Sequence, residues 1–375
     1  MNHSVYMRRC LELAKLGLGN VAPNPMVGAV LVYNDRVIGE GYHQQYGLAH
    51  AEVNCIDSVA EADKKLIPSS TLYVSLEPCA HFGKTPPCAD LIIKQKISKV
   101  IIGCRDPFKE VDGKGIEKLK AAGIHTETGA LEEECKELNR RFFSFHTKQR
   151  PYVILKWAQT ADGFIAVPMD PAIGLTLKDP GKRNDRLHIS NEFSSRLVHK
   201  WRSEEAAILV GTNTALYDDP ELTTRLWPGH SPVRLILDMD LRLPPHLKIF
   251  DHSVRTIVFN SIKEEEDKGL LYYRLTKNAG IVEQVMNALY HLNIQSVLVE
   301  GGAKLLQSFI NERKWDEARV IINKQMTLQG DLNADPGLRA PVLDDMMFQQ
   351  EITIGTDIIK KFISAGMKFS SSANI

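Results

Sequence analysis

Apolar side chains recur at helical spacing at the start of the chain: Tyr6, Cys10, Leu11, Leu13, Ala14 and Leu16. Gly17 and Gly19 follow and end the predicted helix. The period then shortens to two strand-like runs, Val27–Tyr33 and Arg36–Tyr42, with Asn34–Asp35 between them as a hairpin signal. A helix is expected over Ala49–Val59, a short strand over Thr71–Ser75, and a helix with Pro in its first turn over Pro87–Lys94. Strand Lys99–Gly103, helix Gly113–Ala122, strand His125–Gly129 and a charged amphipathic helix Leu131–Phe145 complete the series. This order predicts one α/β domain over residues 1–146.

The polar stretch Thr147–Pro151 is the expected domain boundary, since Pro disfavours helix at the residue before it. A second α/β series, residues 151–375, begins with a strand at Tyr152–Trp157. Further strands are expected at Ala207–Gly211, Val233–Leu237, Thr256–Phe259, Ser296–Val299, Glu317–Ile322 and Glu351–Ile354, with a helix at Gly302–Asn311. Met169–Asn184, rich in Pro, Gly, Asp and Lys, reads as a long loop, and Ser-rich Ala365–Ile375 as a frayed end.

Composition narrows the class. The 375 residues suit two domains, and 43% apolar with 25% charged residues excludes a mainly disordered or coiled-coil architecture. Lys plus Arg and Asp plus Glu both number 46, so no whole-chain basic footprint for nucleic acid exists. A local patch for a phosphate stays open. Six cysteines are too few for a disulfide scaffold; with His they point to a metal site or free thiols. No apolar segment has bilayer length. Met1–Lys15 carries Arg8, Arg9 and Glu12 in a helical pattern, unlike a signal peptide. The expectation is a cytoplasmic enzyme with no membrane and no nucleic-acid partner.

The strongest chemistry lies in His50-Ala-Glu52 and Pro78-Cys79-Ala-His-Phe-Gly-Lys-Thr-Pro-Pro-Cys88. Cys88 falls in the first turn of a predicted helix, where the helix dipole favours a thiolate. Three ligands, His50, Cys79 and Cys88, would leave zinc one open position for water, the catalytic arrangement. Glu52, two residues from a ligand, can shuttle protons to and from that water. Buried core thiols are the bland alternative for each Cys alone. His81 keeps open a second alternative, a closed structural site with four protein ligands.

Ala22-Pro-Asn24-Pro-Met-Val-Gly28, His50-Ala-Glu52 and Glu77-Pro-Cys79-Ala-His81-Phe-Gly-Lys84-Thr-Pro-Pro-Cys88 resemble the deaminase half of bifunctional riboflavin-biosynthesis deaminase/reductase proteins. Cytidine and tRNA deaminases usually place two residues between their Cys ligands; here eight intervene. The resemblance implies a cytidine-deaminase-like zinc fold acting on a diaminopyrimidinone ribosyl phosphate. It makes His50, Cys79 and Cys88 the Zn2+ ligands and Glu52 the catalytic proton carrier. Asn24, His43, His81 and Lys84 would contact substrate. Asn suits a pyrimidine edge and Lys a phosphate.

In the second half, Lys156-Trp-Ala158, Gly211–Arg225, Arg202 and Glu300-Gly301-Gly302 resemble the reductase half of the same family, a dihydrofolate-reductase-like fold that uses NADPH. The chain lacks G-x-G-x-x-G, so a Rossmann fold is not indicated. A glycine pair after a strand lets a backbone approach a phosphate, although it also serves as a plain turn. By resemblance, Ala158, Thr214, Asp218, Gly301 and Gly302 would meet the cofactor. Lys156, Ser190, Arg202, Leu222, Arg225 and Glu300 would meet the substrate, with Glu300 at the ribose hydroxyls. Arg202 and Arg225 offer planar donor pairs for its phosphate. Val167–Leu187 departs from the family as a longer, charged insertion, and Ser190 stands where the family places a Thr or Ser hydroxyl. The family is usually dimeric or larger. Both halves together imply zinc-dependent deamination, then NADPH-dependent reduction of ribosyl to ribityl. The rival readings are a nucleoside or RNA deaminase with an accessory binding domain, and a zinc-stabilised assembly protein; the latter would have lost Glu52.

Overall fold

The computed structural model describes residues 3–83, 85–166, 188–277, 280–328 and 338–366. The chain divides into two compact units at the Arg150–Pro151 junction. Among the described residues, no helix is long and apolar enough to cross a membrane.

The first unit contains α1 (His3–Lys15), β1 (Gly28–Tyr33), β2 (Arg36–Tyr42), α2 (Ala51–Asp57), β3 (Thr71–Leu76), α3 (Cys88–Lys94), β4 (Lys99–Cys104), α4 (Lys114–Ala121), β5 (His125–Thr128), α5 (Glu132–Leu138) and α6 (Arg140–Lys148). Its sheet runs β2-β1-β3-β4-β5, antiparallel around β1 and parallel from β3 to β5. Both faces are covered, so the central strands read as continuous apolar runs. Ala29, Leu31, Leu72, Val74, Val100 and Ile102 face α2, α3 and α4. Their alternates Val30, Val32, Tyr73 and Ile101 meet Met7, Cys10 and Leu11 of α1 and Cys135 of α5. Asn34 and Asp35 both take positive φ, 45° and 58°, and close the β1–β2 hairpin as a two-residue turn. Gly28 has no room for a side chain, because a Cβ there would lie 2.0 Å from the Cys10 carbonyl oxygen.

The single helix expected over Leu131–Phe145 is two. Asn139 interrupts it: its Oδ1 accepts from the Met26 N–H at 2.8 Å and its Nδ2 donates to the Met26 carbonyl at 2.8 Å. That pair fixes the segment that carries Asn24. The helix expected over Ala49–Val59 is shorter, because His50 adopts an extended backbone as its N-cap.

The second unit contains β6 (Tyr152–Thr160), β7 (Phe164–Ala166), α7 (Glu192–Glu204), β8 (Ala207–Gly211), α8 (Thr212–Asp218), β9 (Val233–Leu237), β10 (Thr256–Asn260), β11 (Glu265–Asp267), β12 (Leu270–Arg274), α9 (Ile281–His291), β13 (Ser296–Glu300), α10 (Ala303–Asn311), β14 (Glu317–Asn323), β15 (Leu338–Arg339), β16 (Met346–Ile354) and β17 (Asp357–Ser364). The main sheet runs β11-β12-β10-β9-β8-β13-β6-β14-β17-β16, and β15 pairs with β7. Strands β12 to β14 are parallel, with antiparallel additions at both ends. One face packs on α9 and α10 through Val285, Met286, Leu306 and Phe309. The other carries Ile208, Val210, Ile236 and Val258 against Ala215 and Leu247. The strand expected at Glu351–Ile354 begins earlier, at Met346, and pairs with β17, which lacks a clean alternation in sequence. The expected loop Met169–Asn184 lies outside the described residues, as do all but the first two residues of Ala365–Ile375.

Candidate active sites

The first unit gathers His50, Cys79 and Cys88 where β3, α2 and α3 meet. Glu77 and Pro78 lead from β3 to Cys79, and Cys88 opens α3. The His50 Nδ1 lies 3.6 Å from Cys79 Sγ and 3.4 Å from Cys88 Sγ. Tetrahedral zinc with ordinary Zn–N and Zn–S bonds requires N···S separations of about 3.5 Å. The donor set therefore fits zinc in both chemistry and spacing. His81 does not join the ligand cluster among the described residues, which offers three protein ligands.

The surroundings favour this arrangement. Hydrogen bonds from the Cys88 thiol, from His50 and from the Cys88 backbone N–H lower the Cys79 thiol to about 4. Thr85 Oγ1 stands 3.5 Å from the other His50 nitrogen, Nε2. Glu52, in the first turn of α2, is 3% exposed, and burial raises its carboxyl above the usual range. His43 is also buried. Its Nδ1–H donates to the Ala49 carbonyl at 3.0 Å, and its Nε2 accepts from Asn24 Nδ2 at 3.1 Å. Its ring packs edge-on against His50. His43 thus orients Asn24 and leaves the Asn24 carbonyl oxygen uncommitted to it. His81 packs edge-on against Phe108, with its Nδ1 buried and unpartnered among the described residues. Lys84 lies outside the described residues.

Two carboxylates here escaped the sequence reading. Glu77 accepts from the backbone N–H groups of Gly113, Gly115, Ile116 and Asp106 at 3.0 to 3.3 Å. It ties the strand-to-Cys79 turn to the start of α4. Gly115 permits the approach, since a Cβ there would lie 1.9 Å from the Pro78 carbonyl oxygen. Asp106, at the end of β4, is pushed up to about 7 by burial. Only the Glu-Pro-Cys string hinted at Glu77; nothing in the sequence marked Asp106.

The second unit holds a cavity of about 1190 Å³ along the carboxyl ends of β6, β13, β8 and β9. Ligands of open parallel sheets bind at such ends. All the reductase candidates border it: Lys156, Ala158 and Ser190; Arg202, Thr214 and Asp218; Leu222, Arg225 and Glu300 with Gly301 and Gly302. Register explains the first meeting, because Glu300 of β13 stands beside Lys156 of β6. The Gly302 N–H donates to Thr214 Oγ1 at 2.9 Å and joins the starts of α10 and α8.

Arg202 is committed elsewhere than the expected phosphate clamp. Its Nε and Nη2 donate to the two Glu300 oxygens at 3.0 and 2.9 Å, and Lys156 Nζ lies 3.6 Å from Glu300 Oε2. Burial alone would push the Glu300 carboxyl up; Arg202 and Lys156 outweigh it and hold it at about 2. Arg202 Nη1 also donates to the Thr223 carbonyl, while Arg234 Nε donates to the Glu221 carbonyl. These two anchors flank Leu222, which is buried with φ at 54°, a conformation L-residues adopt only when held. Arg225 is exposed and pairs with Glu221 four residues earlier in the loop at 3.3 Å.

Residues 1–104 match the cytidine and deoxycytidylate deaminase zinc-binding region, and residues 151–327 match the RibD C-terminal domain. Riboflavin biosynthesis protein RibD of Aquifex aeolicus is 39% identical over 342 residues, covering 89% of this chain and 90% of the relative. The chain belongs to the RibD family. The RibD of Bacillus amyloliquefaciens is 36% identical over 94% of both chains. Among solved structures, a diaminohydroxyphosphoribosylaminopyrimidine deaminase/5-amino-6-(5-phosphoribosylamino)uracil reductase from Thermotoga maritima superposes with a TM-score of 0.82 at 36% identity, covering 96% of this chain and 98% of the other. Acinetobacter baumannii RibD gives a TM-score of 0.82 at 30% identity with the same coverage. The RibD C-terminal match makes the second half a reductase domain, so an accessory binding domain is not favoured.

Proposed function

We propose that the first unit deaminates a diaminopyrimidinone ribosyl phosphate and that the second reduces the ribosyl of the product to ribityl, two steps of riboflavin biosynthesis. The observation that carries this reading is the pairing of a three-ligand zinc cluster beside buried Glu52 with the Lys156–Glu300–Arg202 cavity in one chain. When bound by His50, Cys79 and Cys88, zinc makes water nucleophilic at neutral pH. Glu52 carries a proton from the attacking water to the departing ammonia, a role suited to its raised pKa. Asn24, held by His43, hydrogen-bonds the pyrimidine edge; His81 and Lys84 serve the ribosyl phosphate.

NADPH supplies hydride in the second unit. Gly301, Gly302, Thr214, Asp218 and Ala158 would hold the cofactor, and the start of α10 offers an environment suited to its phosphates. A carboxylate accepts at about four sites. Arg202 fills two of those on Glu300, Lys156 stands 3.6 Å away, and an open site takes a sugar hydroxyl. Lys156 stays close to the reacting sugar, Ser190, Leu222 and Arg225 border the substrate, and Arg202 acts by fixing Glu300 and Leu222. Arg242, exposed on the β9 side of the cavity, favours the extra phosphate of NADPH over NADH.

The enzyme works as a homo-oligomer in the cytoplasm. Edge strand β16 supports the first point: Met346, Met347, Phe348 and Ile352 are exposed along it. Six free thiols support a reducing compartment. Incubating the purified protein with the diaminopyrimidinone ribosyl phosphate tests the function. Ammonia release without NADPH, and ribityl product only with NADPH, are expected. Cytidine deamination without activity on the pyrimidine ribosyl phosphate would refute it.

A further inference from the structure

We infer that Glu77 is a positioning residue of the first unit: its carboxylate places Cys79 for the metal and, through Asp106 and Phe108, supports His81. The inference rests on the reading that His50, Cys79 and Cys88 bind zinc. Glu77 follows β3 directly, stands two residues before Cys79, and is buried. Four backbone N–H groups converge on its two oxygens. Oε1 accepts from Gly115 at 3.0 Å and Ile116 at 3.3 Å, and Oε2 from Gly113 at 3.0 Å and Asp106 at 3.3 Å. A carboxylate accepts at about four sites and donates at none, so the fit to four donors is complete.

This group grips the Cys79 turn from two elements. The Glu77 N–H donates to the Cys104 carbonyl at the end of β4 at 3.0 Å, while its side chain holds the start of α4. Gly115 then lies against Pro78, the residue between Glu77 and Cys79. The loop after β4 is fixed by the same carboxylate. Asp106 donates its N–H to Glu77, and its Oδ1 accepts from the Phe108 N–H at 2.7 Å. The Phe108 ring packs edge-on against His81. Because these contacts share one side chain, zinc at Cys79 and order in residues 106–116 should favour each other, and such coupling is reciprocal.

Glu77→Gln tests the acceptor while keeping its shape. Gln offers one oxygen and one NH2, so in either orientation two backbone N–H groups lose their acceptor and face a donor. Partners behind metal ligands typically govern affinity by 10- to 100-fold, so Glu77→Gln should weaken zinc binding by the full-length protein about 30-fold in competition with a chelator. The absorption bands of the Co2+-substituted variant should shift, since Cys79 meets the metal differently. Amide hydrogen exchange supplies a readout on the unmodified protein. Removing zinc should speed exchange across 106–116 about tenfold. In Glu77→Gln that segment should exchange fast with or without zinc, while α2, next to His50, still slows when zinc binds. Exchange in β1 and β4 checks that the variant is folded, and if it is not, the parent's response to zinc decides. Zinc affinity within about twofold of the parent in folded Glu77→Gln, or exchange over 106–116 in the parent that ignores zinc, would overturn the positioning role. A parent protein that binds no zinc would instead overturn the metal reading beneath it.

Discussion

Arg202→Met tests whether Arg202 anchors Glu300 or waits for a phosphate. Glu300 sits at about 2 against an ordinary 4.5, which corresponds to ~3 kcal/mol of preference for its charged form. Removing one partner of a buried ion pair costs about 3–5 kcal/mol, because the survivor stays buried and charged. Lys156 remains 3.6 Å away, so the lower end, ~3 kcal/mol, is expected. The readout is built into the chain. Trp157, Trp201, Trp227 and Trp315 all lie in the second unit, so tryptophan fluorescence during urea unfolding follows that unit alone. Arg202→Met/Glu300→Gln should recover part of the loss, because no carboxylate is left stranded and only buried Lys156 loses its counter-ion. The dependence on pH follows from the same pair. In the parent, the depressed Glu300 contributes full stability above pH ~4.5 and loses it as pH falls towards 2. In Arg202→Met the carboxyl rises above 4.5, so stability falls as pH climbs through that raised value. The gap between the proteins should therefore be wider at pH 8 than at pH 5. A single variant within about 1 kcal/mol of the parent, or a double variant no more stable than the single, would refute the anchor.

Glu52→Gln should retain zinc, measured by atomic absorption, and lose deamination at least about 100-fold, while NADPH-dependent reduction of supplied deaminated intermediate stays nearly unchanged. Normal deamination by the zinc-loaded variant would remove Glu52 from the proton path. Cys79→Ser should lower zinc affinity in competition with a chelator by an order of magnitude or more, since thiolate is the better ligand; full occupancy would exclude Cys79 from the metal. Arg242→Ala should narrow the NADPH over NADH preference about tenfold in direct binding, and an unchanged ratio would place the 2′-phosphate elsewhere.

The zinc site was readable because its chemistry is local. Four residues of restricted type fall within 39 positions, from His50 to Cys88, and few other purposes require that set. Their elements were readable for the same kind of reason. Buried strands β3 and β4 announce themselves as apolar runs, and Asn34–Asp35 tolerates the positive φ its turn demands. The misses have tertiary causes. Nothing local to Leu131–Phe145 shows that Asn139 will leave the helix to hold Met26, 113 residues away. Strand β17 becomes one only through pairing with β14 and β16. Helix α9 is a different case: Ile281, Val282, Val285, Met286 and Leu289 keep helical spacing, and that signal went unused.

The reductase site resisted for a deeper reason. Its residues come from Lys156 to Gly302, and each alone is ordinary: a strand lysine, a helix arginine, a glycine turn. Resemblance could name them, but it could not say which donors face a ligand and which face each other. That distinction depends on register and helix placement. Glu300 and Lys156 are neighbours because β13 and β6 pair in parallel at that register. Arg202 then supplies the charge that lets a buried carboxylate stay ionised. Its guanidinium also reaches Thr223 and steadies the positive-φ backbone of Leu222, so one side chain links the acid to the loop bordering the cavity. A bidentate arginine in sequence reads as a phosphate clamp, whereas in this fold its planar donors are consumed by the protein. Arg202 therefore shapes the cavity through Glu300 and the Leu222 backbone, while Arg225 stays exposed on its border.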